Sequence, residues 1–113
     1  MSANGYTVRR GRIYEISSGK GGLNLSRAIG DLMYREGVTC TPDVTTLQLD
    51  DSHDIAILAS DGLWDDLSNE AACKVARGIS DLDKAASALV AEAYALGSQD
   101  NITALVVDLK KKN

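Results

Sequence analysis

Residues 55–59, Ile-Ala-Ile-Leu-Ala, form an unbroken apolar run that stops at Ser60-Asp61-Gly62. So short a run between polar turns reads as a strand buried on both faces. Asn101–Leu109 makes the same demand, because Ile102, Ala104 and Val106 alternate with Leu105, Val107 and Leu109. Two such strands need cover above and below, and the sequence offers only two convincing helices. Ser68 is a good N-cap for a helix over Asn69–Arg77, with Glu70 in the first turn and Gly78 as the stop. Ala71 stands where a capping box would need an acid or amide. A second helix is expected from about Asp83 to Leu96, with Ala86, Leu89, Val90, Ala93 and Leu96 as its apolar stripe and Gly97 as its end.

The other segments read as strands and turns. Tyr6–Arg9 and Arg12–Ser17 flank Gly11, and Ser17–Gly22 is a flexible loop. Leu23–Ile29 alternates in part, Gly30–Gly37 has no clear pattern, and Val44–Leu49 alternates as a strand after Pro42. Asp50–Asp54 is a polar turn leading into the apolar run. The expectation is an α+β domain of antiparallel strands with two helices, in which part of the cover is missing.

At 113 residues the chain is one domain or part of one, and its 44% hydrophobic content excludes wholesale disorder. No run reaches the roughly 18 apolar residues of a membrane span. The first residues hold no apolar signal core, and Ser2 stands where myristoylation needs Gly. Cys40 and Cys73 are far apart, which suits free thiols in a reducing, intracellular setting, cytoplasmic or nuclear. Residues 1–30 carry five basic side chains and one acid, residues 31–109 carry four basic and fifteen acidic ones, and Lys110–Lys112 close the chain. Such an acidic body is a poor nucleic-acid binder, and the basic head reads first as a solvated face.

Asp61 directly follows the apolar run and Asp100 directly precedes the Asn101–Leu109 strand. If these strands are antiparallel neighbours, both carboxylates reach the same rim. Beside Gly62 and Asn101 they would suit a hard cation such as Mg²⁺ or Mn²⁺. On spacing alone, acids at strand ends are more often turn formers. Other patterns fail. Ser18–Gly22 is not a P-loop, because Tyr14 and Gly21 stand where that motif needs Gly and Ser or Thr. His53, the one histidine, has no nucleophile signature near it and reads as solvated. Asp50–Asp54 lacks the order of a calcium loop. Trp64 reads as a core or rim anchor.

Three blocks together carry a family resemblance: Gly22-Leu-Asn-Leu-Ser-Arg-Ala-Ile-Gly-Asp31, Ile57-Leu-Ala-Ser-Asp-Gly-Leu-Trp-Asp65, and Gly97-Ser-Gln-Asp-Asn-Ile-Thr103 with the Val-rich strand after it. In this order they resemble signatures of the metal-dependent protein phosphatases, the protein phosphatase 2C family. Pro42-Asp-Val-Thr-Thr and Ser68-Asn-Glu-Ala fit as well, so the resemblance covers roughly residues 4 to 109. It implies an αββα sandwich that hydrolyses phosphoserine and phosphothreonine in proteins with two Mg²⁺ or Mn²⁺ ions. It also implies that Asp61 and Asp100 are metal ligands, with Gly62 and Asn101 supporting them. Residues 5–22 would be a flap near the site, residues 23–109 a core segment and residues 110–113 a basic tail. Arg27 and Asp31 read as structural.

The family's N-terminal blocks are absent from the sequence: the acidic metal-binding block with its phosphate-binding Arg, Asp-Gly-His-Gly, and Gly-Asp-Ser-Arg. The one Asp-Gly pair is Asp61-Gly62. The expectation is therefore a partial αββα sandwich, a C-terminal segment inactive alone that associates with itself or with a complementing N-terminal segment. The alternative is a pseudophosphatase or regulatory binding module. A small α/β structural domain with coincidental motifs is the third reading.

Overall fold

The computed structural model describes residues 2–3, 6–9, 12–15, 21–23, 25–32 and 37–110, with side chains from residue 25 onward. The loop at 16–20 and part of the segment at 30–37 lie outside the described residues. The chain divides into two compact units, residues 1–46 and 47–113.

The first unit holds a four-stranded antiparallel sheet of β1 (Ser2–Ala3), β2 (Tyr6–Arg9), β3 (Arg12–Glu15) and β4 (Gly21–Leu23), in chain order. The strands expected around Gly11 are present, and β2 pairs with β3 from Tyr6↔Glu15 to Arg9↔Arg12. The partial alternation after Leu23 does not extend β4. Instead, Arg27 makes an isolated bridge to Thr39, and the chain turns at Gly30 (φ 92°) and Asp31 (φ 50°). Two successive left-handed residues break any strand, and Asp is one of the few side chains that tolerates that region.

The second unit is built on β5 (Ile55–Ala59) and β6 (Ala104–Asp108), antiparallel from Ile55↔Asp108 to Ala59↔Ala104. Between them run α1 (Asp61–Trp64), α2 (Asn69–Arg77) and α3 (Leu82–Ala95). Ser68 caps α2 as the sequence predicts, its hydroxyl accepting from the Ala71 amide at 3.1 Å. α3 starts one residue earlier than expected because Asp81 caps it, accepting from the Asp83 and Lys84 amides. The end of α3 is a Schellman turn. Gly97 (φ 100°) donates to the Tyr94 carbonyl and Ser98 donates to the Ala93 carbonyl.

The core is Leu63, Leu67, Ala72, Ala76, Ala85, Leu89 and Ala93, with Ile55, Ile57, Ile102, Ala104 and Val106 packed against it. Alanines at 72, 76, 85 and 93 let α2 and α3 approach closely, so Leu63 and Leu89 are the largest side chains fully enclosed. The buried stripe of α3 runs through Ala85, Leu89 and Ala93 rather than through Ala86 and Leu96, and Leu96 is half exposed.

Among the described residues β5 and β6 are covered on one face: Leu58 and Leu105, paired across the ladder, are 54% and 56% exposed, beside exposed Val107, which is the shortfall of cover that the sequence leads one to expect. One expectation needs correction. Residues 44–49 form no strand, and Val44 and Leu47 are 83% and 64% exposed. An alternating segment becomes a strand only where a neighbour supplies the ladder bonds, and here none does among the described residues. No helix among the described residues is long and apolar enough to cross a membrane.

Candidate active site

The antiparallel register of β5 and β6 carries the end of one strand to the start of the other. Past Ala59↔Ala104 the ladder continues through the Ser60 amide, which donates to the Thr103 carbonyl at 3.0 Å. The Ser60 hydroxyl accepts from the Thr103 amide at 3.0 Å and donates to the Asn101 carbonyl at 3.2 Å. Ser60 is also the N-cap of α1, so Asp61 opens that helix and Gly62 lies inside it. A Cβ on Gly62 would stand 2.1 Å from the Asn101 carbonyl oxygen and 3.3 Å from the Asp100 Cβ. Glycine is required here by close backbone approach, not by an unusual dihedral.

From the other side, the Schellman turn after α3 delivers Ser98, whose hydroxyl donates to the Gly62 carbonyl at 2.7 Å. Asp100 follows. One of its oxygens accepts from the Asn101 amide at 2.7 Å, which leaves the second oxygen free of protein donors among the described residues. Gly62, Asp65, Asp66, Gly97, Ser98, Gln99 and Asp100 line an open hollow, and Asp61 and Asp100 are both exposed. The structure thus brings Gly62, Asp100 and Asn101 into contact; Asp61 adjoins Gly62 in the chain but is not among the residues lining the hollow. Arg27 and Asp31 lie in the first unit. There Arg27 pairs with Asp43 at 2.6 Å, bridging its own loop to the segment after Pro42.

The chain entering β5 is fastened by charge. Arg77, in the last turn of α2, donates to Asp54 through Nε at 3.2 Å and Nη2 at 2.9 Å. These bonds hold the Asp54 carboxyl below its ordinary range and push the Arg77 guanidinium up. Just before it, the Ser52 hydroxyl and amide donate to Asp50 and lower its pKa, with His53 adding to the effect. His53 is not simply solvated: its Nδ1 accepts from the Asp50 amide at 3.0 Å.

A model of the protein phosphatase 2C family matches residues 1–102. The chain belongs to the protein phosphatase 2C family. It is 44% identical over 92 residues to the probable protein phosphatase 2C 69 of Arabidopsis thaliana, covering 81% of this chain and 26% of that protein. It is 44% identical over 99 residues to the probable protein phosphatase 2C 68 of Oryza sativa subsp. japonica, covering 82% and 28%. The serine-threonine phosphatase 2C of Toxoplasma gondii is a structural neighbour with a TM-score of 0.72 and 35% identity, covering 81% of this chain and 32% of that one. A Caenorhabditis elegans sex determining protein shares the fold, with a TM-score of 0.74 over 96% of this chain and 27% of that one. The mixed helix and antiparallel-strand architecture is therefore a phosphatase 2C fold, and the chain spans between a quarter and a third of the length of these relatives.

Phosphatase 2C proteins are metal-dependent, so the donor set must be weighed. Mg²⁺ and Mn²⁺ take oxygen ligands, keep several waters and use one or two carboxylates, and the exposed carboxylates of Asp61 and Asp100 are donors of that type. Among the described residues no group of three or more His, Cys, Asp or Glu is close enough to enclose an ion.

Sequence reasoning passed over Ser60 and Ser98 because hydroxyls beside metal-type acids carry no pattern of their own. The signal was available in hindsight: Ser98 directly follows the helix-stopping Gly97, where a Schellman turn fixes its direction.

Proposed function

We propose that this chain is the Asp61- and Asp100-bearing segment of a metal-dependent protein serine/threonine phosphatase. The observation that supports this reading is the join of β5 to β6, which seats Gly62 against Asp100 and Asn101. Asp61 and Asp100 would hold Mg²⁺ or Mn²⁺ together with ligands from outside these 113 residues, and Gly62 and Asn101 set their spacing. Such a cation, when bound, lowers the pKa of a water and neutralises charge on a phosphoryl group in transfer. The chain's own contribution is to present two carboxylates on a rigid rim, open to solvent on the side where a phosphoserine or phosphothreonine of a protein substrate would approach. Arg27, tied to Asp43, serves the fold of its loop, and Asp31 serves the turn beside it.

The same reading makes the isolated chain inactive, because two carboxylates neither enclose two ions nor hold a phosphate. The outer face of β5–β6, with Leu58, Leu105 and Val107, is then the seat of a complementing N-terminal segment, and without one the chain associates with itself. The lack of a three-ligand cluster among the described residues favours a second reading, a phosphatase-like regulatory binding module without chemistry. Cys40 and Cys73 are free thiols, which suits a reducing intracellular setting.

The test is hydrolysis of p-nitrophenyl phosphate by the purified chain in excess Mn²⁺, beside Asp61→Asn. No turnover above the variant is expected. Turnover that disappears in the variant means that the chain assembles a complete site, and the partial-site reading is wrong.

A further inference from the structure

Two serine hydroxyls cross-link the carboxylate-bearing segments from opposite sides. Ser60 precedes Asp61 and bonds forward in space to Asn101 and Thr103, while Ser98 precedes Asp100 by two residues and bonds back to Gly62. Each serine therefore lies on one segment and grips the other, through three hydrogen bonds in all. We propose that Ser60 and Ser98 are positioning residues that fix the separation of Asp61 and Asp100, with Ser98 the more important of the two. The inference rests on the reading of those acids as metal ligands.

Three features single out Ser98. Its bond to the Gly62 carbonyl, 2.7 Å, is shorter than either bond of the Ser60 hydroxyl, 3.0 and 3.2 Å. Gly62 is buried, so loss of the hydroxyl removes a partner from a carbonyl with restricted access to water. Its direction is set by a helix end: the Ser98 amide is consumed by the Ala93 carbonyl and Gly97 supplies the left-handed residue before it. A rigid helix of 14 residues thus holds the hydroxyl that clasps α1. Side chains that orient metal ligands typically change metal affinity about 10- to 100-fold when removed.

The test uses the full chain, with Mn²⁺ alone as the probe and free Mn²⁺ read by electron paramagnetic resonance. Ser98→Ala should weaken Mn²⁺ binding about tenfold, Ser98→Thr should recover most of the affinity, and Ser60→Ala should give a smaller loss. Asp100→Asn marks the floor. Equal affinity in Ser98→Ala and wild type, or no recovery with Thr, overturns the proposal. If the wild-type chain binds no Mn²⁺, the two carboxylates do not hold the ion without the outside ligands, and amide hydrogen exchange then decides the positioning claim independently. Ser98→Ala should speed exchange at residues 61–64 while leaving the amides of α2 unchanged. Unaltered exchange at 61–64 overturns the claim, as does a uniform rise across the unit, which marks a general loss of stability.

Discussion

Gly62 is the residue on which the rim depends most. An alanine methyl would overlap the Asn101 carbonyl oxygen at 2.1 Å, a backbone atom that also accepts from the Ser60 hydroxyl and so cannot swing aside freely. Gly62→Ala should cost about 1–3 kcal/mol in chemical denaturation and should lower Mn²⁺ affinity together with stability. A variant as stable as wild type would show that the two segments do not touch. The Asp54–Arg77 pair gives a signed pH dependence. Asp54 titrates below its unfolded value in the folded chain, so its stabilising contribution is complete above the unfolded carboxylate pKa, about 3.9. The contribution is lost as pH falls through the lower folded value. Arg77→Met should therefore be less stable than wild type at neutral pH, with the gap narrowing as both are acidified below about 4. The pair is half exposed, so the gap should also shrink in high salt. A gap that widens toward low pH would contradict the assignment.

At the scale of elements, α2 and α3 owe their packing to alanine and their placement to caps. Ser68→Ala should cost about 1 kcal/mol, and Leu89→Ala, which empties the largest enclosed site of α3, about 2–5 kcal/mol; both are read by urea unfolding. The cap at Ser68, the stop at Gly78, the strand at 55–59 and the antiparallel meeting of β5 and β6 were all legible in the sequence, because each has a local cause. Asp61 follows β5 closely, as its place after the apolar run implies, whereas β6 starts at Ala104 rather than Asn101, so Asp100 stands four residues before it. The sequence shows that cover is short, but where it is short, and which segments pair, depends on neighbours. Leu58, Leu105 and Val107 carry the composition of a buried face but stand exposed. Val44–Leu49 carries the alternation of a strand but makes no ladder. In both cases the sequence states a demand that the described residues do not meet. The exchange of Ala86 for Ala85 in the buried stripe of α3 is a matter of phase: Ala85, Leu89 and Ala93 follow one another at i, i+4 and so share one face.

For the whole molecule, an apolar sheet face left exposed invites association. Sedimentation should show mass rising with concentration, and a Leu58→Lys, Leu105→Lys double variant should lower it; a monomer at every concentration would contradict the account. The central claim is that Asp61 and Asp100 serve a phosphatase site completed from outside this segment. A chimera tests it most directly: the 92-residue region matched in the Arabidopsis probable phosphatase 2C 69 is replaced by the corresponding residues of this chain, and Mn²⁺-dependent hydrolysis of a phosphothreonine peptide is measured. The account predicts an active chimera that loses activity with either Asp61→Asn or Asp100→Asn. A folded but inactive chimera, or one that keeps its activity without either carboxylate, would contradict it.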